Sequence, residues 1–336
     1  MLFDLYIEGL ALKLATFEIP TPAGPLRRIG AAVDGRLIDF RAAYAAHLER
    51  SAAGCEEQKI AALLFAPDMV SFLELGELGR TAALDALEAA AQVDEAFGAR
   101  TSYAMDEVRL LAPVARPRVI RDFLTFEGHM KQASRALGRS EVIPQAWYEV
   151  PAYYKGDCDT VIGTGVNVVW PAYCEKFDFE LELGMVTGRR GKNISKADAH
   201  RYIAGYTIWN DWSARDQQMR EAPVGMGPSK GKDFDTGNGV GPYLVTADEV
   251  DVSNARMIAR INGEVWTDSS SAGRQFSFED LIVHVSQSET IHAGELWGSG
   301  TVTGGSGLEL NRWLQPGDLV ELEIEGIGLL SNRVVR

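Results

Sequence analysis

FDFELELGMVTG, residues 177–188, alternates apolar and acidic side chains through its first half. Strict alternation predicts a half-buried strand, because successive side chains of a strand point to opposite faces. The carboxylates of Asp178, Glu180 and Glu182 therefore share one face. Neighbouring side chains on one face lie about 7 Å apart, so Glu180 and Glu182 can direct their carboxylates to a common point. Like charges held that close repel unless a cation neutralises them or one takes up a proton. The alternative is a solvated outer face.

The composition predicts a globular protein with a large core. The chain has 336 residues, 46% of them hydrophobic, which suits two domains or one large domain with an N-terminal extension. A net charge of -14 excludes nucleic acid as a partner, because no basic stripe is present to neutralise phosphates. A small anionic substrate then needs a local cation from Arg, Lys or a metal.

Cysteine usage and the absence of long apolar runs predict a cytoplasmic protein without a membrane partner. The three cysteines form no C-x-x-C pair, and their odd number argues against a disulfide framework. No run of about 18 apolar residues occurs. The opening residues lack the basic region and cleavage site of a signal peptide. We expect the first dozen residues to precede the domain, because the first alternating strand begins near Lys13.

Residues 1–115 are predicted to form a small N-terminal α+β domain. A strand is expected at Lys13 to Ile19, and a hairpin at Arg28 to Phe40 turns at Asp34-Gly35. Alanine-rich helices then follow, and two prolines mark the end of the domain. These helices are expected at residues 41–52, 57–65 and 81–97.

Residues 116–336 are predicted to carry the chemistry. A strand at 205–210 delivers Asp211 at its end, and a helix is expected at 127–138. A helix is also expected at 193–202, and an Asn262-Gly263 turn predicts a further hairpin. The glycine-rich loop 225–241 has neither nucleotide-binding glycine pattern, so no nucleotide site is predicted there.

Four carboxylates come from strands or strand edges, namely Asp122, Glu180, Glu182 and Asp211. No cysteine or histidine is placed to join them. An all-oxygen set of ligands suits a hard cation and is poor for zinc. For Asp122, a simple helix cap is the alternative.

Several motifs resemble those of the fumarylacetoacetate hydrolase family. These motifs are E-L-E at 180–182, N-D-W-S-A-R-D-x-Q at 210–218, K-x-F-x-T at 232–236, S-G-T at 299–301 and D-F followed by His129. The resemblance spans about two thirds of the chain, from Arg121 onwards. It implies a mixed α/β, β-rich fold in which a β-sandwich or roll catalytic domain follows a small N-terminal α+β domain. It also implies a homodimer.

The resemblance also implies roles for individual residues. A divalent cation, Mg²⁺ with Ca²⁺ or Mn²⁺ as alternatives, would be held by the four carboxylates, with Lys232 and Thr236 in an outer shell. His129 would act as general base, oriented by Glu309. Lys232 would also donate to the developing oxyanion. The expected substrate-binding residues are Tyr154, Arg215, Gln218 and Thr301.

Two positions lie outside that pattern. Leu124 stands where the family has a substrate-contacting tyrosine, so a different substrate is expected. Asp178 has no counterpart among the metal ligands, and we assign it to the strand edge or solvent. Segments 128–139 and 145–156 are expected to form a lid.

The predicted roles have structural alternatives. His129 could be an ordinary helix histidine, and Tyr154 could be a packing residue. Arg215 could pair with Asp216 or Glu221, and Lys232 could be a solvated loop residue.

Three functions remain open. The first is a metal-dependent hydrolase that cleaves a carbon–carbon bond of a 1,3-diketo acid, resembling fumarylacetoacetate or an acylpyruvate, with water activated by His129 and an enolate as leaving group. The second is a decarboxylase, hydratase or isomerase of a 2-oxo acid, which uses the same metal-bound enolate. The third is a catalytically silent, metal-binding dimeric scaffold.

Overall fold

A computed structural model describes residues 12–51 and 56–336 of the chain. The expectation for the first dozen residues therefore lies almost entirely outside the described residues, as does Cys55. The strands, in chain order, are β1 Lys13–Ile19, β2 Leu26–Val33, β3 Arg36–Asp39, β4 Glu95–Ala96, β5 Ala99–Arg100, β6 Ser102–Ala104, β7 Arg109–Leu110, β8 Ile120–Phe123, β9 Tyr153–Gly156, β10 Val161–Ile162, β11 Val168–Val169, β12 Phe177–Asp178, β13 Leu181–Thr187, β14 Ile203–Asp211, β15 Ser213–Ala214, β16 Asn238–Thr246, β17 Arg256–Ile261, β18 Glu264–Ser270, β19 Leu296–Gly298, β20 Leu319–Ile324 and β21 Gly328–Val335.

The helices are shorter and fewer in the second half of the chain than in the first hundred residues. They are α1 Phe40–Ser51, α2 Glu57–Leu64, α3 Met69–Glu74, α4 Glu77–Ala90, α5 Glu127–Ala136, α6 Gln145–Glu149, α7 Arg215–Glu221, α8 Phe278–Ser286 and α9 Gly307–Leu310.

Two sheets dominate the described part of the chain. The larger has twelve strands, with the path β6-β3-β2-β1-β16-β14-β13-β19-β8-β9 and two further strands beside it. The smaller has the order β11-β21-β20-β17-β18. This arrangement confirms the mixed α/β, strand-rich fold. Because β1 pairs with β16, the N-terminal strands extend the same sheet as the strands of the second half. The division at residue 115 stays a proposal.

The central strands of the large sheet are covered on both faces. One face packs on the five-stranded sheet, and their shared core contains Leu181, Leu183 and Met257. The other face packs on the N-terminal helices through a second core that contains Phe40 and Val186. Apolar burial on both faces is the main stabilising contribution for strands of this kind.

The local predictions in the N-terminal region are confirmed at the hairpin. Strands β2 and β3 pair in antiparallel register, and Asp34 and Gly35 at their turn have φ values of 47° and 74°. Asn262 and Gly263, at the turn between β17 and β18, have similarly positive values of 52° and 82°. The helix expected at 193–202 is wrong in its length, because only Ala199–Tyr202 is helical, as a 3-10 turn.

The prediction of a half-buried strand at residues 177–188 is wrong in its burial. The stretch forms β12 and β13, and every residue of both strands is buried. Sequence alternation reports which side chains share a face, but it cannot report that a second layer covers the polar face. Here that layer includes the buried cations Arg215 and Lys232 and the segment of α9, so the acids do not face open solvent.

Candidate active site

Three carboxylates converge at the centre of the large sheet. Asp122 of β8, Glu182 of β13 and Asp211 at the end of β14 each offer an oxygen within 4.8 Å of the others. All three residues are buried. Asp122 Oδ1, Glu182 Oε2 and Asp211 Oδ1 have no hydrogen-bond partner within the described residues. Buried oxygens of this kind fit a divalent cation, which prefers carboxylate ligands and would remove their repulsion.

Gly298 creates the space in which these acids meet. It ends β19, which lies between β13 and β8 in the sheet. A Cβ atom at this position would lie 2.5 Å from both Asp122 Oδ1 and Glu182 Oε2. Only glycine therefore allows carboxylates from the two flanking strands to approach each other above the intervening strand.

Burial and mutual repulsion shift the titration of this cluster. Burial, together with the nearby Asp211 charge, raises the pKa of Asp122 well above its usual range. Burial and the Asp122 charge do the same to the pKa of Glu182. Burial raises the pKa of Asp211 to about 6, against the opposing effect of Lys232. A cation bound between the carboxylates would favour their ionised forms.

Glu180 lies next to the cluster but is neutralised by protein cations. Its Oε1 lies 2.8 Å from the Arg215 guanidinium, and its Oε2 contacts the Lys232 ammonium. Although burial opposes ionisation, these two cations hold the pKa of Glu180 below its usual range. The structure does not place Glu180 in the group of converging ligand atoms, so its role as a metal ligand stays a prediction.

Arg215 and Lys232 are both buried and form ion pairs in the site. Lys232 Nζ also contacts Asp211, so it is not a solvated loop residue. Arg215 pairs with Asp178 and Glu180 rather than with Asp216 or Glu221. Its remaining nitrogen donates to Gln218 Oε1 at 3.0 Å. Arg215 also lines the cavity, so its ion pairs lie at the edge of the site.

The assignment of Asp178 to the strand edge or solvent is wrong. Its side chain is 0% exposed and lies 2.8 Å from Arg215 Nε. It also accepts hydrogen bonds from the backbone N–H groups of Gly307 and Leu308 at 2.8 and 3.0 Å. The sequence gives no local signal of this burial, because the covering segment lies about 130 residues further along the chain.

His129 and Glu309 come together at the edge of the same site. His129 Nδ1 lies 3.0 Å from Glu309 Oε2, and both side chains are nearly inaccessible to solvent. Glu309 is fixed in turn by the backbone N–H of Gly304 at 2.9 Å and by the hydroxyl of Ser306 at 2.9 Å. Because Nδ1 faces the carboxylate, Nε2 is the ring nitrogen of His129 that this contact does not engage.

A cavity of about 500 Å³ adjoins the acidic cluster and the histidine. Two segments expected to form a lid supply part of its wall, through α5 and through residues 152–154. Arg139 also lines this cavity, and sequence reasoning missed it. Among the described residues it forms no ion pair. Arg139 ends the segment 128–139 that was expected to form a lid, and this position could have indicated that it lines the site. The motifs pointed to other residues.

Of the remaining predicted residues, three reach the site and one does not. Tyr154 donates to Asp211 Oδ2 at 2.6 Å, and Thr301 donates to Glu182 Oε1 at 3.3 Å. Gln218 lines the cavity. Thr236 instead accepts a hydrogen bond from the Val169 N–H at 3.0 Å and does not line the cavity. Its outer-shell role and the substrate-binding roles of the other three stay predictions.

The sequence and this geometry together define an enzyme of one family. The family model for the fumarylacetoacetate (FAA) hydrolase C-terminal region matches residues 118–335. The chain belongs to the fumarylacetoacetate hydrolase family.

Relatives and a solved structure agree with this assignment. The chain is 31% identical over 327 residues to the mitochondrial oxaloacetate tautomerase FAHD2A of Bos taurus, covering 96% of this chain and 92% of the relative. It is 32% identical to the oxaloacetate tautomerase YisK of Bacillus subtilis, covering 69% and 75%. The fold is similar to that of maleylpyruvate hydrolase from Sphingobium sp. SYK-6 in complex with manganese(II) and pyruvate. The TM-score is 0.67 and the identity 20%, with 96% and 99% of the two chains covered.

Two observations bear on the predicted cytoplasmic location. No helix of residues 12–51 and 56–336 is long and apolar enough to cross a membrane. The bovine relative is named as mitochondrial, which differs from the predicted cytoplasmic location.

Proposed function

We propose that this protein is a divalent-metal-dependent enzyme that interconverts the keto and enol forms of a 2-oxo acid. One observation carries the proposal: His129, paired with Glu309, and Asp122 of the acidic cluster line one cavity. The relatives at 31% and 32% identity, both named oxaloacetate tautomerases, support this reaction over the hydrolysis expected from the motifs.

The residues of the site fit the proton transfers of this reaction. A bound divalent cation would supply Lewis-acid polarisation of the substrate's oxo group. In this proposal, His129 Nε2 takes a proton from the carbon beside that group and returns it. Glu309 stabilises the protonated imidazole and fixes its orientation. Arg139 is the cavity cation free to bind a carboxylate of the substrate.

Lys232 and Arg215 have different roles in this proposal. Because both are buried and paired with acids, they balance the negative charge of the site instead of binding substrate. Tyr154 donates to one oxygen of Asp211, which leaves the other oxygen for the cation. The hydrogen bond from Tyr154 fixes the orientation of the Asp211 carboxylate.

Hydrolysis of a 1,3-diketo acid is the second candidate. The His129–Glu309 contact favours it, because an imidazole held by a carboxylate can also activate water. In that reaction the oxygen of water bonds to one carbonyl carbon, the adjoining carbon–carbon bond breaks, and the released carbon takes up a proton. The two candidates differ in their products but use the same site.

The test compares two substrates with metal-depleted and metal-reloaded protein. We expect Mg²⁺ or Mn²⁺ to restore rapid loss of the enol absorption of oxaloacetate, without cleavage products. Cleavage of an acylpyruvate to two acids, abolished in His129→Ala, would favour hydrolysis instead. Absence of turnover of both substrates despite bound metal would contradict the proposal and favour the silent scaffold. The predicted homodimer stays a separate prediction, which light scattering can test.

A further inference from the structure

One face of α5 is turned to the cavity instead of to the protein core. Met130 and Ala133 lie on this helix, and Leu137 follows at its C-terminal end, and all three line the cavity. Their spacing of three and four residues places them on one side of a helix. In most helices an apolar stripe of this kind packs on the core. Here it forms a wall beside the active site.

Apolar residues from other elements extend this wall. Leu124 lies two positions after Asp122, Met219 follows Gln218, and Leu308 precedes Glu309. All three line the same cavity. Each of these residues is therefore a near neighbour in the chain of a polar residue of the site. Apolar and polar residues therefore line one cavity together, so a ligand held by the polar groups would lie within the cavity that the apolar residues also line.

The size of the cavity also exceeds what the polar groups require. Its volume of about 500 Å³ lies within the range of roughly 300–1,000 Å³ that is typical of sites for drug-sized ligands. A small dicarboxylate such as oxaloacetate would leave the wall of α5 in contact with water. Covering that wall with an apolar group of the substrate would be favourable.

We propose that the physiological substrate is a 2-oxo acid with an apolar substituent that packs on Met130, Ala133, Leu137 and Met219. This inference rests on the proposed function and narrows its substrate class. The oxo acid group lies at the acidic cluster, and the substituent extends along α5. Position 124 carries leucine instead of tyrosine. This is consistent with the proposed specificity, because the hydroxyl of a phenol there would add a polar group to the wall.

Binding of a homologous series tests the inference directly. The probes are straight-chain 2-oxo acids from 2-oxobutanoate to 2-oxooctanoate, titrated calorimetrically into the Mg²⁺-loaded protein. We expect Kd to fall about threefold to fourfold for each added methylene, until the cavity is filled. We also expect the heat capacity change of binding to become more negative with chain length. Equal Kd values for short and long acids would overturn the inference.

Two polar substitutions and one control locate the binding surface. In Leu137→Asn and, independently, in Met219→Gln, we expect the ratio of Kd values between 2-oxobutanoate and 2-oxooctanoate to fall by at least fivefold. Leu63→Asn is the matched control, because Leu63 is 72% exposed on α2 and does not line the cavity. A ratio unchanged in both cavity variants would contradict the assignment of the wall.

Turnover separates failure of this inference from failure of the proposed function. The second measurement is kcat/KM for oxaloacetate and for acylpyruvates of increasing acyl length. Turnover of oxaloacetate or of the shortest acylpyruvate, without any gain on lengthening the chain, would overturn the inference alone. If no 2-oxo acid is bound or turned over, the proposed function fails and the inference falls with it.

Discussion

Asp178 Oδ2 lies 2.8 Å from Arg215 Nε, and both side chains are buried. The same carboxylate accepts the first backbone N–H groups of α9, the short helix that carries Glu309. Arg215 in turn contacts Glu180. One carboxylate therefore joins the segment that carries Glu309 to the buried ion pairs beside the acidic cluster.

Replacing Asp178 by Asn tests this connection. The substitution keeps the shape but removes the charge that neutralises Arg215, so we expect a loss of about 3 kcal/mol in the free energy of unfolding. We also expect kcat to fall roughly 10-fold to 100-fold with a small change in KM, because α9 and Glu309 lose their anchor. Denaturant unfolding and steady-state kinetics measure the two effects.

Asp268→Asn is the matched control for that variant. Asp268 forms a two-contact pair with Arg256, but this pair is exposed to solvent, which screens it. Little change is expected in stability or kcat. If Asp178→Asn lowers stability but leaves kcat intact, Asp178 supports the fold and has no positioning role.

Metal binding should stabilise the protein in the absence of any substrate. The acidic cluster is buried, and its charges repel without a cation, so a divalent ion should bind the folded form in preference to the unfolded chain. At 100 times Kd, we expect the free energy of unfolding to rise by about 2.7 kcal/mol. Thermal unfolding of chelator-treated protein, with and without added Mg²⁺ or Mn²⁺, measures the change.

The variant Glu182→Gln separates this effect from general binding of ions. It preserves the volume of the side chain but removes one ligand charge, so most of the metal-dependent stabilisation should disappear. Glu264→Gln, at an exposed pair with Arg312, should retain it. Equal stabilisation of both variants would place the ion somewhere other than the cluster.

Local patterns predicted the parts of this structure that depend on neighbours in the chain. Asp34-Gly35 turns a hairpin because these residues tolerate positive φ, and that preference needs no tertiary information. The carboxylates Asp122, Glu182 and Asp211 could be proposed as a group because hard cations prefer such ligands. Their convergence depends on the order of β14, β13, β19 and β8 in the sheet. The resemblance implied that the carboxylates converge, but their spacing in the chain did not.

Features that depend on segments far apart in the chain could not be predicted from the sequence. Alternation placed Asp178 and Glu180 on one face, but whether that face meets water or protein is decided by Arg215 and by α9. The role of Arg215 was difficult to predict for the same reason, because only the fold brings its two acidic partners, Asp178 and Glu180, close to it. Charge pairing across such separations leaves no periodic pattern to read.

Gly298→Ala should disable the metal site through space alone. The added Cβ would lie 2.3 Å from a ring carbon of Trp209 and 2.5 Å from both Asp122 Oδ1 and Glu182 Oε2, so the indole and at least one carboxylate must move. We expect metal affinity to fall at least tenfold, together with the metal-dependent gain in stability, as in Glu182→Gln. Calorimetric titration of metal into the chelator-treated variant checks this. Unchanged affinity would show that the cation does not lie between those two carboxylates.

Arg139→Gln tests how the substrate's charge is held. Arg139 lines the cavity at its exposed side and forms no ion pair among the described residues, whereas Arg215 is occupied by Asp178 and Glu180. A contact made equally in the ground state and the transition state changes KM and leaves kcat unchanged. We therefore expect KM for oxaloacetate to rise about tenfold, as for one lost charge-assisted hydrogen bond. Arg135→Gln is the matched control. Arg135 lies on α5, four residues before Arg139, and pairs with Glu141 outside the cavity lining, so the KM of this variant should match that of the wild type. A normal KM in Arg139→Gln would show that the metal ion or another residue of the site binds the substrate's carboxylate.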